Sequence, residues 1–125
     1  MGHDRRRSTR LAAGWSGRYT LDTRPHDPYQ CRVLDISLGG ASLELFGPAP
    51  LEYEGIRVEF RSEALPVGLH LPARARHLGP STSTGMRVGV EWHDLTRAHA
   101  IMLNAILRRT HIRAATQATE ISATG

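Results

Sequence analysis

The stretch VLDISLGGASLEL, Val33 to Leu45, decides how the chain is read. Its two ends alternate apolar and polar residues as half-buried β-strands do. Its middle holds an aspartate, a serine and two adjacent glycines, residue types that build turns. The segment is therefore two strands with a polar interruption. YQCRVLDI, residues 29–36, leads in, and ASLELF, residues 41–46, leads out with Ala41, Leu43 and Leu45 on one face.

Working outward, the same period of two recurs. Residues 12–21 form a first strand, and DTRPHDP, with two prolines, reads as the loop after it. GPAPLEYEG is a turn-rich connection. IRVEF turns Ile56, Val58 and Phe60 to one side. LHLPARARHL alternates through Leu69, Leu71, Ala73 and Ala75, with Pro72 marking an edge or a bulge. MRVGVEW puts Met86, Val88, Val90 and Trp92 on one face. Six short strands at this spacing predict a small antiparallel β-barrel, closed or nearly so. The period then changes. In TRAHAIMLNAILRRTHIR the polar residues Arg97, Asn104, Arg108 and His111 fall on one stripe of a C-terminal α-helix, which Asp94 or Thr96 can cap. Its wide apolar surface needs a partner, either the barrel end or another domain. The expected organisation is a flexible arginine-rich arm over residues 1–11, the barrel plus helix over residues 12–113, and a disordered tail over residues 114–125.

The chain has 125 residues, enough for one domain with a modest core. No apolar run is long enough to span a membrane. The N-terminus lacks the apolar segment of a secretion signal, so a cytoplasmic location is expected. One cysteine, Cys31, precludes an internal disulfide and reads as a small core residue. The seven histidines show no metal-ligand spacing, so no metal is expected. All 16 basic residues are arginine and the net charge is +4, which points to an anionic partner.

Four of those arginines fall in the first ten residues, in DRRRSTR. If DTRPHDP closes an antiparallel hairpin, the start of the first strand lies beside the end of the second. Arg6 and Arg10 then come close to Asp35 and Ser37. Two guanidinium forks suit phosphate oxygens or the O6/N7 edge of guanine. A carboxylate suits the N–H donors of a guanine Watson–Crick edge. Glycine lets the backbone approach a ligand closely, or takes a positive φ. The set fits an anionic guanine nucleotide. It contains no nucleophile–base pair, so no enzyme activity and no catalytic residue is expected.

The motif RxxxR, as Arg6-Arg7-Ser8-Thr9-Arg10, followed by DxSxxG, as Asp35-Ile36-Ser37-Leu38-Gly39-Gly40, resembles the paired signature of the PilZ domain, a bacterial receptor for cyclic di-GMP. The resemblance covers roughly residues 5 to 112 and extends to the six-stranded antiparallel β-barrel, which it implies is of split-barrel type, the GVEW strand and the C-terminal α-helix. It implies that Arg6 and Arg10 clamp the ligand, that Asp35 and Ser37 read a guanine, and that Gly40 shapes the turn. Arg5 resembles a position that helps hold an intercalated ligand dimer, and Arg76 and Arg87 are candidates for a further arginine from the barrel wall. It implies cyclic di-GMP as ligand rather than catalytic cofactor, and a protein partner or neighbouring domain as the receiver of the signal. Members include stand-alone adaptors, flagellar brakes and regulatory domains of enzymes such as bacterial cellulose synthase. Two other readings stand beside this one: a PilZ-like interaction module without ligand binding, and a small nucleic-acid-binding barrel. Against the last, aromatic residues are only 6% of the chain, and Phe60 and Trp92 fall on the expected core face, away from any nucleic acid.

Overall fold

Alternation along the strands places one set of side chains in a common interior. The computed structural model describes residues 11–62, 65–81 and 84–109, with the side chains of residues 62–67 excepted. The strands are β1 (Leu11–Leu21), β2 (Arg24–Ile36), β3 (Gly40–Leu45), β4 (Gly55–Ser62), β5 (Leu65–Ser81) and β6 (Met86–Trp92). They close into an antiparallel barrel in the order β1-β2-β3-β6-β5-β4. Residues 97–109 are helical and form α1. No described helix is long and apolar enough to cross a membrane. The predicted arm falls almost entirely, and the tail wholly, outside the described residues.

The core is the set that the period of two selects. Val33, Leu43, Val58, Leu71, Ala73, Ala75 and Val88 are completely buried, and Phe60 and Trp92 join them. Cys31 is buried too, and desolvation pushes its thiol up to about 12. Tyr19 is buried with its hydroxyl donating to the Pro48 carbonyl at 2.8 Å, which ties the β3–β4 connection to the barrel. Trp15 stacks on Phe60, with ring centroids 5.6 Å apart.

Two details depart from the sequence reading. DTRPHDP is not all loop. Only Asp22 and Thr23 turn; β2 begins at Arg24, which pairs with Leu21, and Tyr29 pairs with Tyr19. Residues Pro25 to Pro28 bulge outward opposite the single residue Thr20. Proline lacks a ladder donor, so a bulge is where a strand tolerates it. Pro72 obeys the same rule in another way. It pairs with Arg57 of β4, while its carbonyl accepts from His93 N just past the last β5–β6 pair, Ala73 with Trp92. Its missing N–H therefore falls at the end of a ladder.

Helix α1 starts with a reciprocal cap. Thr96 Oγ1 accepts from the His99 amide at 3.1 Å, and the Thr96 amide donates to His99 Nδ1 at 3.3 Å. Thr96, rather than Asp94, is the cap. Leu103, Ile106 and Leu107 pack into the barrel core, while Arg97, Asn104 and Arg108 face solvent. The apolar surface is narrower than its composition suggests, because Ile101 is 62% exposed.

Candidate functional site

The β1–β2 register brings the two ends of the hairpin together. Leu11 pairs with Ile36 and Ala12 pairs with Asp35. Leu11, the residue that follows Arg10 in the chain, therefore lies at the corner that holds the aspartate of the polar interruption. Arg5, Arg6 and Arg10 themselves lie outside the described residues.

Bulges aim this corner. Between the Ala12 and Trp15 pairs, β1 spends two residues, Ala13 and Gly14, opposite Leu34 alone. Gly14 takes φ +68°, the left-handed conformation that the extra residue requires and glycine adopts without steric cost. On the other side β2 spends Leu34 between its Val33–Leu43 and Asp35–Ser42 pairs, while β3 spends nothing. The inward phase therefore jumps from Val33 to Ile36, and Asp35 is left half-buried. Its pairing partner on β3 is Ser42, half-buried too, which pairs in turn with Gly89 of β6. Asp35 makes contacts of its own and is not an isolated carboxylate.

The SLGG turn is built by its serine. Ser37 is 2% exposed, the one buried polar residue of the described chain. Its amide donates to the Gly40 carbonyl at 2.8 Å, and its Oγ accepts from the amides of Gly39 and Gly40, each at 3.2 Å. Its carbonyl accepts from Trp92 Nε1 at 3.0 Å. What the structure gives Ser37 is a turn-building part, its hydroxyl already committed to main-chain donors. Gly40 has a different reason from the two weighed in the sequence. A Cβ there would collide with the Val90 carbonyl of β6, so it is close approach of protein backbone, not a positive φ, that demands glycine.

Of the two wall arginines, Arg76 pairs with Glu91 at 3.2 Å and lies 5.0 Å from the centroid of the Tyr53 ring. Arg87 is in the row Arg32–Glu44–Arg87, two strands from β2. Ser42 escaped the sequence reading, since the Leu34 bulge that pairs it with Asp35 leaves no mark in composition. Trp92 was legible only as core; that a buried indole N–H needs an acceptor was the available signal. Among the described residues no group of histidine, cysteine or carboxylate side chains could hold a metal ion.

The sequence model of the PilZ domain matches residues 4–109. The chain belongs to the PilZ domain family. Its barrel superimposes on the PilZ domain of YcgR from Escherichia coli, solved with c-di-GMP, with a TM-score of 0.72 at 18% identity, covering 92% of this chain and 98% of that one. Against YcgR of Escherichia coli in complex with c-di-GMP the TM-score is again 0.72, at 20% identity, over 94% of this chain and 50% of that one. The PilZ domain of CeSA from a cellulose-synthesizing bacterium gives 0.61 at 18% identity, over 83% of this chain and 96% of that one. At these identities the likeness is one of fold. A comparison with curated proteins gives no match.

Proposed function

We propose that this PilZ domain is a non-enzymatic receptor for cyclic di-GMP. The observation that supports the reading is the register Ala12–Asp35 beside Leu11–Ile36, which sets Leu11, the residue next after RxxxR, at the DxSxxG corner. Arg6 and Arg10 supply the phosphate clamp, with Arg5 helping to hold a second ligand molecule. Asp35 accepts from the N–H donors of a guanine. Ser37 and Gly40 hold the corner in shape. Solved relatives of the same fold carry c-di-GMP, which supports the choice of nucleotide.

The signal leaves through the arm. Ligand phosphates order residues 1–11 against the barrel at a cost of about 1–2 kcal/mol per residue, met from binding energy. A partner protein or neighbouring domain in the cytoplasm then reads the changed surface, whether the unit acts as an adaptor or as a regulatory domain. The expected outputs are motility or biofilm regulation.

Calorimetric titration of the chain with cyclic di-GMP, GTP and single-stranded DNA tests the assignment. Saturable binding of cyclic di-GMP alone is expected. No heat with any of the three would favour a pure interaction module. Preference for DNA would favour the nucleic-acid reading. Hydrogen exchange tests the readout: new protection in residues 3–12 and around Asp35, with the strands little altered, is expected. An arm equally protected with and without ligand would refute it.

A further inference from the structure

The outer wall of the barrel carries a second basic feature, on the β2–β1–β4 side. A shallow groove of about 560 Å³ is lined there by Ser16, Arg18, Gln30, Arg32, Phe46 and Arg61, among others. The register explains how three strands make it. Ser16 pairs with Arg32, and Arg18 pairs with both Gln30 and Glu59. Arg61 follows the Gly17–Phe60 pair, which brings it alongside Ser16 from the other flank. A small hydroxyl residue thus lies between two arginines whose backbones are about 10 Å apart, two strand spacings.

The charges in the groove are unequal. Arg18 is neutralised by Glu59 at 3.0 Å. Arg32 and Arg61 are exposed, and no ion pair or hydrogen bond engages either guanidinium among the described residues. Glu44, which pairs across the ladder with Arg32, accepts a hydrogen bond from the Thr84 hydroxyl at 2.9 Å, and Glu59, two residues from Arg61 on β4, is taken by Arg18 at 3.0 Å and lies 3.3 Å from His70 Nε2. At the groove's end Phe46 is held by its amide on the Gln30 carbonyl, yet its side chain is 43% exposed. Two unmatched guanidinium groups beside a half-exposed aromatic ring form a mixed surface.

We infer that this groove docks an acidic peptide segment of a partner protein, one carrying carboxylates for Arg32 and Arg61 and an apolar or aromatic side chain for Phe46. A free oxyanion fits less well. Exposed arginines hold a lone anion weakly, because salt screens such attraction within about 8 Å at physiological strength. Several carboxylates on one chain act together, and the second contact is made at high effective concentration. Single-stranded nucleic acid would want successive stacking platforms, and the groove offers Phe46 alone on its open side. None of these residues belongs to the proposed nucleotide site, so the inference stands apart from cyclic di-GMP binding. Arg32 is nonetheless three residues from Asp35, so a segment docked here would sit next to that site.

The test is fluorescence anisotropy of a labelled peptide rich in glutamate and aspartate with one central tryptophan, titrated with the full chain. The same peptide with amides in place of its carboxylates is the control. The acidic peptide should bind, and physiological salt should weaken it severalfold. The double variant Arg32→Glu with Arg61→Glu should lose roughly tenfold or more in affinity. Phe46→Ala should lose roughly threefold or more. Arg57→Glu, an exposed arginine outside the groove, makes a single charge reversal and should change affinity by less than about twofold. Circular dichroism and thermal melts should show all variants folded, since each changes an exposed wall residue; if the double reversal does not fold, Arg32→Gln with Arg61→Gln replaces it and should lose roughly fivefold. Three outcomes would overturn the inference: equal binding of the amide control, an Arg57→Glu loss as large as that of the double variant, or tighter binding of single-stranded DNA that the same double variant abolishes.

Discussion

Trp92 Nε1 donates to the main-chain carbonyl of Ser37 at 3.0 Å, and the Trp92 amide donates to the Gly39 carbonyl at the same distance. The last residue of β6 thus grips the turn that follows Asp35 by both its side chain and its backbone. Trp92→Phe would keep most of the apolar volume and delete the indole donor, leaving the Ser37 carbonyl without its partner. A stability loss of about 1–3 kcal/mol is expected in urea unfolding. Because the turn positions Asp35, cyclic di-GMP affinity should fall as well, even at temperatures where the variant is fully folded.

Within that turn, serine and glycine fail differently. Ser37→Ala removes the acceptor for the Gly39 and Gly40 amides and should cost about 1–2 kcal/mol. Gly40→Ala drives a methyl group into the Val90 carbonyl, backbone that cannot swing aside. Its cost should lie at the upper end of the 1–3 kcal/mol typical of overpacking. It should also loosen the β3–β6 ladder, visible as faster amide exchange in residues 40–42 and 89–91. Equal exchange in both variants would mean that the collision is relieved elsewhere.

The strand count, the core face and the β1–β2 hairpin were all legible, because period-two alternation survives in Val33, Leu43, Val58, Leu71 and Val88 regardless of neighbours. What the pattern hid was irregular pairing. The Leu34 bulge changes the inward phase between Val33 and Ile36, and nothing in the letters at 33–36 separates a bulge from a regular strand. The prolines of DTRPHDP signalled a loop when they marked an outward bulge within β2. Ser37 could be assigned to a ligand or to its own turn from sequence; burial and three main-chain contacts show how much of its bonding the turn already takes.

Burial of acidic protons makes stability fall at high pH. The Cys31 thiol is raised from 9.0 to about 12, and the Tyr19 hydroxyl from 10.0 to about 12, each chiefly by desolvation. Between about 9 and 12 the unfolded chain ionises these groups and the native one does not. The native state then binds more protons, so unfolding becomes easier as pH rises. The contribution of both groups is whole below pH 9 and is lost through that window. Urea midpoints measured across it should decline, and Cys31→Ala should flatten the early part of the decline. Cys31 in the native protein should also resist thiol reagents at neutral pH.

The nucleotide site separates into charge and base recognition. Arg6→Ala or Arg10→Ala should each weaken cyclic di-GMP by about 1.5–3 kcal/mol, the worth of a hydrogen bond to a charged group, and should relieve part of the salt dependence of binding. Asp35→Asn keeps the shape of the side chain but turns a pair of acceptors into one acceptor and one donor. The new donor would face the N–H groups of guanine, so affinity for cyclic di-GMP should drop strongly. Cyclic di-AMP presents a different edge, so its weak binding should change little and the preference between the two should narrow. The arginine variants should leave that preference nearly as it was, since phosphates are common to both ligands. Calorimetry with both dinucleotides on all three variants reads this split directly. A preference unchanged by Asp35→Asn would move guanine recognition to other residues, while arginine variants that bind like the parent would remove the clamp from the RxxxR segment.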